Sequence, residues 1–228
     1  MKEKIFIKLL ILALLLNAGL VNAQVLNPTQ DTYVRGGSNG DTNYGTETEL
    51  QVKQGGNENF KRRTMLQFDL STVEASEFTA LLRLYATRND GDVTLSVSEI
   101  PDTWDDATVT WNTAPAEGDL ITSEAFATDQ INEYFEFDVT EYVKAQLAGD
   151  NVASFSIFDQ NADNVDSRFN SKEATDNLPE LVISEPKLVS TILFYMSDTL
   201  TGAVPDNPGD SLIYEYLTRS GYVVNCLP

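Results

Sequence analysis

Histidine is absent from this 228-residue chain, and Cys226 is its only cysteine. The first absence excludes Ser-His-Asp and Cys-His nucleophilic chemistry and histidine-ligated zinc; the second excludes a disulfide within the chain. Cations are scarce too, with 15 Lys and Arg against 35 Asp and Glu and a formal charge of −20. Such a body repels nucleic acid and anionic membrane surfaces over a Debye length, so neither is expected as a partner. Beyond residue 23 no apolar run is long enough to cross a bilayer, so membrane insertion of the mature chain is not expected. Glycoside hydrolysis needs only two carboxylates and a lyase only Tyr and Lys, so these survive the exclusions, but neither has a recognisable constellation here.

What is present begins with a leader. Lys2 and Lys4 precede an apolar stretch from Ile5 to Leu20, and Val21-Asn22-Ala23 gives a small-residue exit before Gln24. Residues 1–23 therefore read as a secretory signal peptide cleaved after Ala23, which places the mature protein outside the cell or at its surface. A secreted domain of this size needs no disulfide if its core is large enough.

From Thr32 to about Ser184 apolar residues alternate in short runs. Leu66, Phe68 and Leu70 share a face, as do Leu82, Leu84 and Ala86, then Val93, Leu95 and Val97. Phe135, Phe137 and Val139, Phe155 and Ile157, and Leu181 and Ile183 repeat the pattern. Period two is the signature of a strand with one buried face, and Gly-, Asn- and Asp-rich turns fall between the runs. Many short strands so spaced predict an all-β, antiparallel, jelly-roll-like β-sandwich over residues 24–186. One stretch departs: Val139, Val143 and Leu147 recur every fourth residue, which predicts a short helix capped by Thr140 and stopped at Gly149.

After Glu185-Pro186 the pattern changes. Thr191 to Met196 reads as a buried strand, Leu212 to Leu217 as an amphipathic helix and Tyr222 to Val224 as a second strand. Residues 187–228 are thus expected to be a linker and the truncated start of a C-terminal α/β domain, covalently linked in the full-length protein.

Several strings follow in a fixed order: Asp31-Thr32-Tyr33-Val34, Asn43-Tyr44-Gly45-Thr46, RTMLQFDLS from Arg63 to Ser71, and ALLRLY from Ala80 to Tyr85. Then come Trp104, TVTWNTAP from Thr108 to Pro115, Phe137-Asp138-Val139-Thr140, Ser171-Lys172-Glu173 and Pro179-Glu180-Leu181. This succession resembles the DNRLRE-type domain, carbohydrate-binding module family 96. The resemblance implies a sandwich without enzymatic activity, carried in secreted multidomain proteins beside polysaccharide lyases or hydrolases, with alginate among the ligands of some members. It departs at the helix, where Gln146 stands in place of a tryptophan usual in the family.

A sugar surface needs flat aromatic faces with polar groups around them, and a uronate polymer adds a need for Arg and Lys. Between Lys53 and Arg63 the chain places Lys53, Lys61, Arg62 and Arg63 against Glu58 alone, with Arg35 on a preceding loop. These five form the candidate glycan site, although Arg63 also has ion-pair partners within reach of sequence reasoning, Asp69 or Glu173. Tyr44 is the stacking residue expected to be exposed. Tyr33, Trp104 and Trp111 are weaker candidates, Trp111 being read as core.

Asp159, Asn161, Asp163 and Asp166 space oxygen ligands as a structural calcium loop would, although Asn164 and Asn170 fail the EF-hand pattern. No other cofactor is expected. The composite expectation is a non-catalytic module for an extracellular, acidic polysaccharide. The alternative is a structural or adhesion sandwich without a glycan site.

Overall fold

Strands form because one face of each short alternating run can be buried while the other carries polar groups. The computed structural model describes residues 23–74 and 77–185. The expected signal peptide, apart from Ala23, and the expected α/β start at 187–228 lie outside the described residues. Among the described residues no helix is long and apolar enough to cross a membrane.

Among the described residues eleven strands and one α-helix follow in order. They are β1 (Ala23–Leu26), β2 (Gln30–Arg35), β3 (Glu49–Val52), β4 (Arg62–Asp69), β5 (Thr79–Asn89) and β6 (Val93–Glu99). Then come β7 (Leu120–Phe126), β8 (Tyr134–Asp138), α1 (Thr140–Leu147), β9 (Val152–Asp159), β10 (Ser167–Asn170) and β11 (Glu180–Ser184). One sheet has the order β1-β11-β5-β10-β3 with β8 also on β5; the other runs β2-β4-β9-β6-β7. Every pairing is antiparallel, so the chain is the expected all-β sandwich. The long β5 organises the first sheet: Leu82 lies opposite both Leu181 and Phe137, and Ala86 opposite Phe169.

Every alternating set read from the sequence faces a single core between the sheets. Five phenylalanines, Phe68, Phe126, Phe137, Phe155 and Phe169, are wholly buried. Phe126 packs on Phe135 at 4.5 Å and on Phe169 at 5.6 Å between ring centroids. Burial of each such ring stabilises the fold by roughly 1.5–3 kcal/mol, which supplies the core that a disulfide-free domain needs.

A second, smaller core lies on the outer face of the second sheet. Val34 on β2 and Met65 on β4 point away from the sandwich interior and are covered by Ile100, Trp104 and Val109 from the long β6–β7 loop. Trp111, expected in the core, is half-buried at the margin of this second cluster. The second sheet is therefore covered on both faces at β2 and β4, while β7 at its edge is largely exposed.

The helix differs in detail from expectation. Val139 occupies the N-cap position and makes no side-chain cap. Asp138 Oδ1 instead accepts the Thr140 amide at 3.0 Å, while Thr140 Oγ1 accepts the Ala80 amide at 2.9 Å. Thr140 thus fastens α1 to β5 and leaves capping to its neighbour, since one hydroxyl cannot serve both amides. Tyr142 supplies an aromatic anchor where Gln146 does not: its ring meets Phe155 at 5.2 Å and its hydroxyl donates to the Ser154 carbonyl at 2.9 Å.

The second core makes a prediction. Met65→Ala is expected to lower unfolding free energy by about 2–5 kcal/mol in urea titration, because a wholly buried side chain leaves a cavity under the loop. A loss below about 1 kcal/mol would mean that the loop follows the deletion inward and is not a packed cover.

Candidate functional site

The β2–β4 register sets Arg35 opposite Arg62. An isolated antiparallel bridge sets Lys53 opposite Arg62 on its other side. Directly opposed residues project to the same side, so Lys53, Arg62 and Arg35 form one row across three neighbouring segments. Of the three, only Arg62 has a carboxylate within 4 Å among the described residues, Asp166 at 3.8 Å. Arg35 Nε donates to the Asn59 carbonyl at 3.1 Å, and Lys53 Nζ lies 5.7 Å from the Phe60 ring centroid. Among the described residues neither makes an ion pair. Phe60 itself is 46% exposed, a large apolar side chain left at the surface beside the row.

Arg62 is the most enclosed of the three, with its side chain 10% exposed. Its Nε and Nη1 are buried without a hydrogen-bond partner, and Asp166 stands 3.8 Å away. That carboxylate is already held by two bonds from Arg168, at 3.1 and 3.2 Å. Burial lowers the Arg62 pKa and Asp166 opposes the shift; a guanidinium titrates so high that it stays charged regardless. Alongside, Tyr33 and Tyr44 stack at 4.4 Å with 24° between planes. Tyr33 is buried, which pushes its phenol up to about 12, and Tyr44 is half-buried against it, less open than expected. The narrow turn that carries Tyr44 requires Gly45, where a Cβ would lie 2.0 Å from the Asp106 carbonyl oxygen.

Two of the sequence candidates point elsewhere. Lys61 turns back to Glu58, its neighbour one 3-10 turn earlier. Arg63 follows Arg62 on a strand and so faces the opposite way, beneath the β6–β7 loop. It donates to the Pro115 carbonyl at 2.6 Å and approaches Glu117 at 3.3 Å and Ser156 Oγ at 3.4 Å. Its partner is thus Glu117 and neither Asp69, which accepts the Ser71 amide, nor Glu173, which pairs with Lys172. Burial lowers the Arg63 pKa and Glu117 partly restores it.

The oxygen-rich loop is closed on itself. Asp159 accepts the Asn161 amide at 3.1 Å and the Asp163 amide at 2.8 Å, and Asp166 is committed to arginines. Among the described residues no three His, Cys, Asp or Glu side chains are grouped to hold a metal ion, so Asp159, Asp163 and Asp166 make no such group beside Asn161.

The sequence strings turn out to bind the loop to the sheet. Gln30 Nε2 donates to Gln67 at 2.8 Å; Gln67 donates to the Asp102 carbonyl and to Ser154 Oγ, each at 3.0 Å. Asn43 donates to the carbonyls of Asp106 and Val109, both at 2.7 Å. Asp31 accepts the Lys172 amide at 2.7 Å, and the Lys172 ammonium bridges Asp106, at 3.0 Å, and Glu173. Burial alone would lower the Lys172 pKa, but the two carboxylates push it up to about 12. Asp31, wholly buried and with Oδ1 unpartnered, is pushed by burial to about 8.

A cavity of about 740 Å³ lies near α1 between Phe78, Leu120 and Tyr142, rimmed by Glu99, Asp119, Asp138 and Glu141. It contains none of the sequence candidates. Asp138 is held below the usual carboxylate range by Thr140, opposite to what a general acid requires.

The model of carbohydrate-binding module family 96 matches residues 22–185. A gellan lyase from Bacillus sp is 28% identical over 166 residues, which is 69% of this chain. The chain spans 6% of that relative's length.

Two outcomes are expected. Arg63→Ala should destabilise the fold by about 1–3 kcal/mol, since it strands buried acceptors, whereas Lys53→Ala should change stability by less than about 0.5 kcal/mol; equal losses in chemical denaturation would contradict the division between framework and site. Asp31 has a folded pKa near 8 against 3.8 for the free group. Folding therefore favours its protonated form, and its stabilising contribution, complete below 3.8, is lost as pH rises through 8. Thermal melts from pH 4 to 9 should show this decline in the native chain and a flatter profile in Asp31→Asn.

Proposed function

The chain belongs to carbohydrate-binding module family 96, and from that premise we propose that it is a secreted, non-catalytic module that holds an acidic polysaccharide, such as alginate, on the Lys53–Arg62–Arg35 row. The observation that carries the reading is the row itself, three adjacent cations with two free of ion pairs on a body of formal charge −20. Carboxylates along a uronate chain pair with such donors through charge-assisted hydrogen bonds, and Arg offers a planar fork for bidentate contact. Arg62 is fixed by packing and keeps little freedom to lose, while Arg35 and Lys53 are half-buried and able to adjust. Phe60, beside Lys53, adds an apolar ring against which a sugar face can lie.

In this reading the leader through Ala23 is removed on export, and the module brings a covalently attached C-terminal domain to its polymer. The match to a small part of a gellan lyase supports such a multidomain setting. The module's own part is adhesion to the polymer; bond cleavage belongs to other domains.

Calorimetric titration of the full chain with alginate oligosaccharides, gellan and a neutral glucan, at low and physiological salt, tests the proposal. Alginate binding should weaken with salt, as contacts between exposed charges do. In Arg35→Ala/Lys53→Ala it should fall by about tenfold for each contact removed. Alginate binding that is unchanged in the double variant, or absent from the native chain, would discard the row as the site.

A further inference from the structure

The two sheets differ on their outward faces. Those of the second carry Val34, Met65 and Gln67, all buried under the β6–β7 loop. On the first sheet Arg83, Tyr85 and Tyr134 also point outward, yet they are only half-buried, Arg83 and Tyr85 between wholly buried neighbours. The register sets Tyr85 directly opposite Tyr134, and Arg83 opposite both Glu136 and Glu180.

Tyr134 is held in place from several directions. The Arg83 guanidinium lies 4.3 Å from its ring centroid, and its hydroxyl is 3.2 Å from the Leu178 carbonyl and 3.3 Å from Glu180. The ring therefore reaches from β8 across β5 to the start of β11. Tyr85 meets it at 5.5 Å and 79°, so the two rings form a corner. The charge here is unlike that of the cation row. Arg83 is balanced by Glu180 at 2.7 Å and Glu136 at 3.7 Å, one cation against two carboxylates.

We infer that the Tyr85–Tyr134 corner is a second binding site, for an uncharged hexopyranose unit of a polysaccharide, separate from the cation row. The inference rests on the carbohydrate-binding reading of the family. A pyranose has an apolar C–H face that packs on an aromatic ring and a rim of hydroxyls that donate to carboxylates such as Glu136. The preset rings lose little freedom on binding. The surplus negative charge disfavours a uronate and leaves a neutral sugar unaffected.

Titration of the full chain with cellopentaose and mannopentaose, beside alginate oligosaccharides, tests this. At least one neutral pentaose is expected to bind. Tyr85→Ala should weaken that binding by about tenfold or more, Tyr85→Phe should keep it within about twofold, and Arg35→Ala/Lys53→Ala should leave it unchanged. If Tyr85→Ala does not fold, Tyr85→Leu retains apolar bulk without the flat ring and should show the same loss. Failure of both pentaoses to bind, or binding indifferent to a folded Tyr85 variant, overturns the second site. Alginate binding retained alongside that result leaves the cation row standing. Neutral binding without alginate binding supports the corner and overturns the row.

Discussion

The β6–β7 loop packed on the outer face of the second sheet is the constraint on which the rest depends. A loop laid over a sheet buries backbone carbonyls and amides that water would otherwise satisfy, and each left unpaired costs about 1–3 kcal/mol. Gln30, Gln67, Asn43 and Arg63 meet that demand by reaching the loop at Asp102, Asp106, Val109 and Pro115. Trp104 and Val109 supply the apolar half of the same contact on Val34 and Met65. Because this face is covered over β2 and β4, the proposed binding residues lie on the open face of the first sheet and at the end of the sandwich where β2, β3 and β4 meet.

The division separates the most distinctive residues from those proposed to meet a ligand. The strings RTMLQFDLS, TVTWNTAP and Ser171-Lys172-Glu173 are a matched set of donors, acceptors and apolar contacts that lock loop to sheet. Changing any one strands a buried group in another, which ties them together regardless of the polymer bound. A surface cation such as Lys53 has no such obligation. Its neighbours accept its loss without leaving a buried atom unpaired, so ligand preference is free to change while the framework stays.

The fold was legible because inward residues recur at every second position, and that period survives any error in strand ends. Leu66, Phe68 and Leu70, or Phe135 and Phe137, fixed their own faces. The site was only partly legible. Lys61, Arg62 and Arg63 are adjacent in sequence and therefore read as one cluster, yet a strand sends Arg62 and Arg63 to opposite sides, and a 3-10 turn pairs Lys61 with Glu58. The parity of Leu66 and Phe68 already implied that Arg63 shares a face with Met65. What parity lacked was the cover above that face, since Glu117 lies 54 residues away and reaches Arg63 only through the loop. The Tyr85–Tyr134 pair was hidden for another reason: each tyrosine is outward by parity, but only the β5–β8 register sets them opposite.

Local charge on this molecule is governed by which cations are already committed. The chain has 15 cations and 35 anions, so a free cation is improbable at random and most of the described ones are paired. Arg168 takes Asp166 with two bonds and Glu49 with a third. In doing so it shares with Arg62 the carboxylate nearest to both, 3.8 Å from Arg62, while Arg35 and Lys53 make no ion pair among the described residues. Arg168 never needs to touch a sugar for this effect. Electrostatic attraction at the row would then act at short range, because salt screens exposed charges beyond a Debye length and the acidic body repels a polyanion within it.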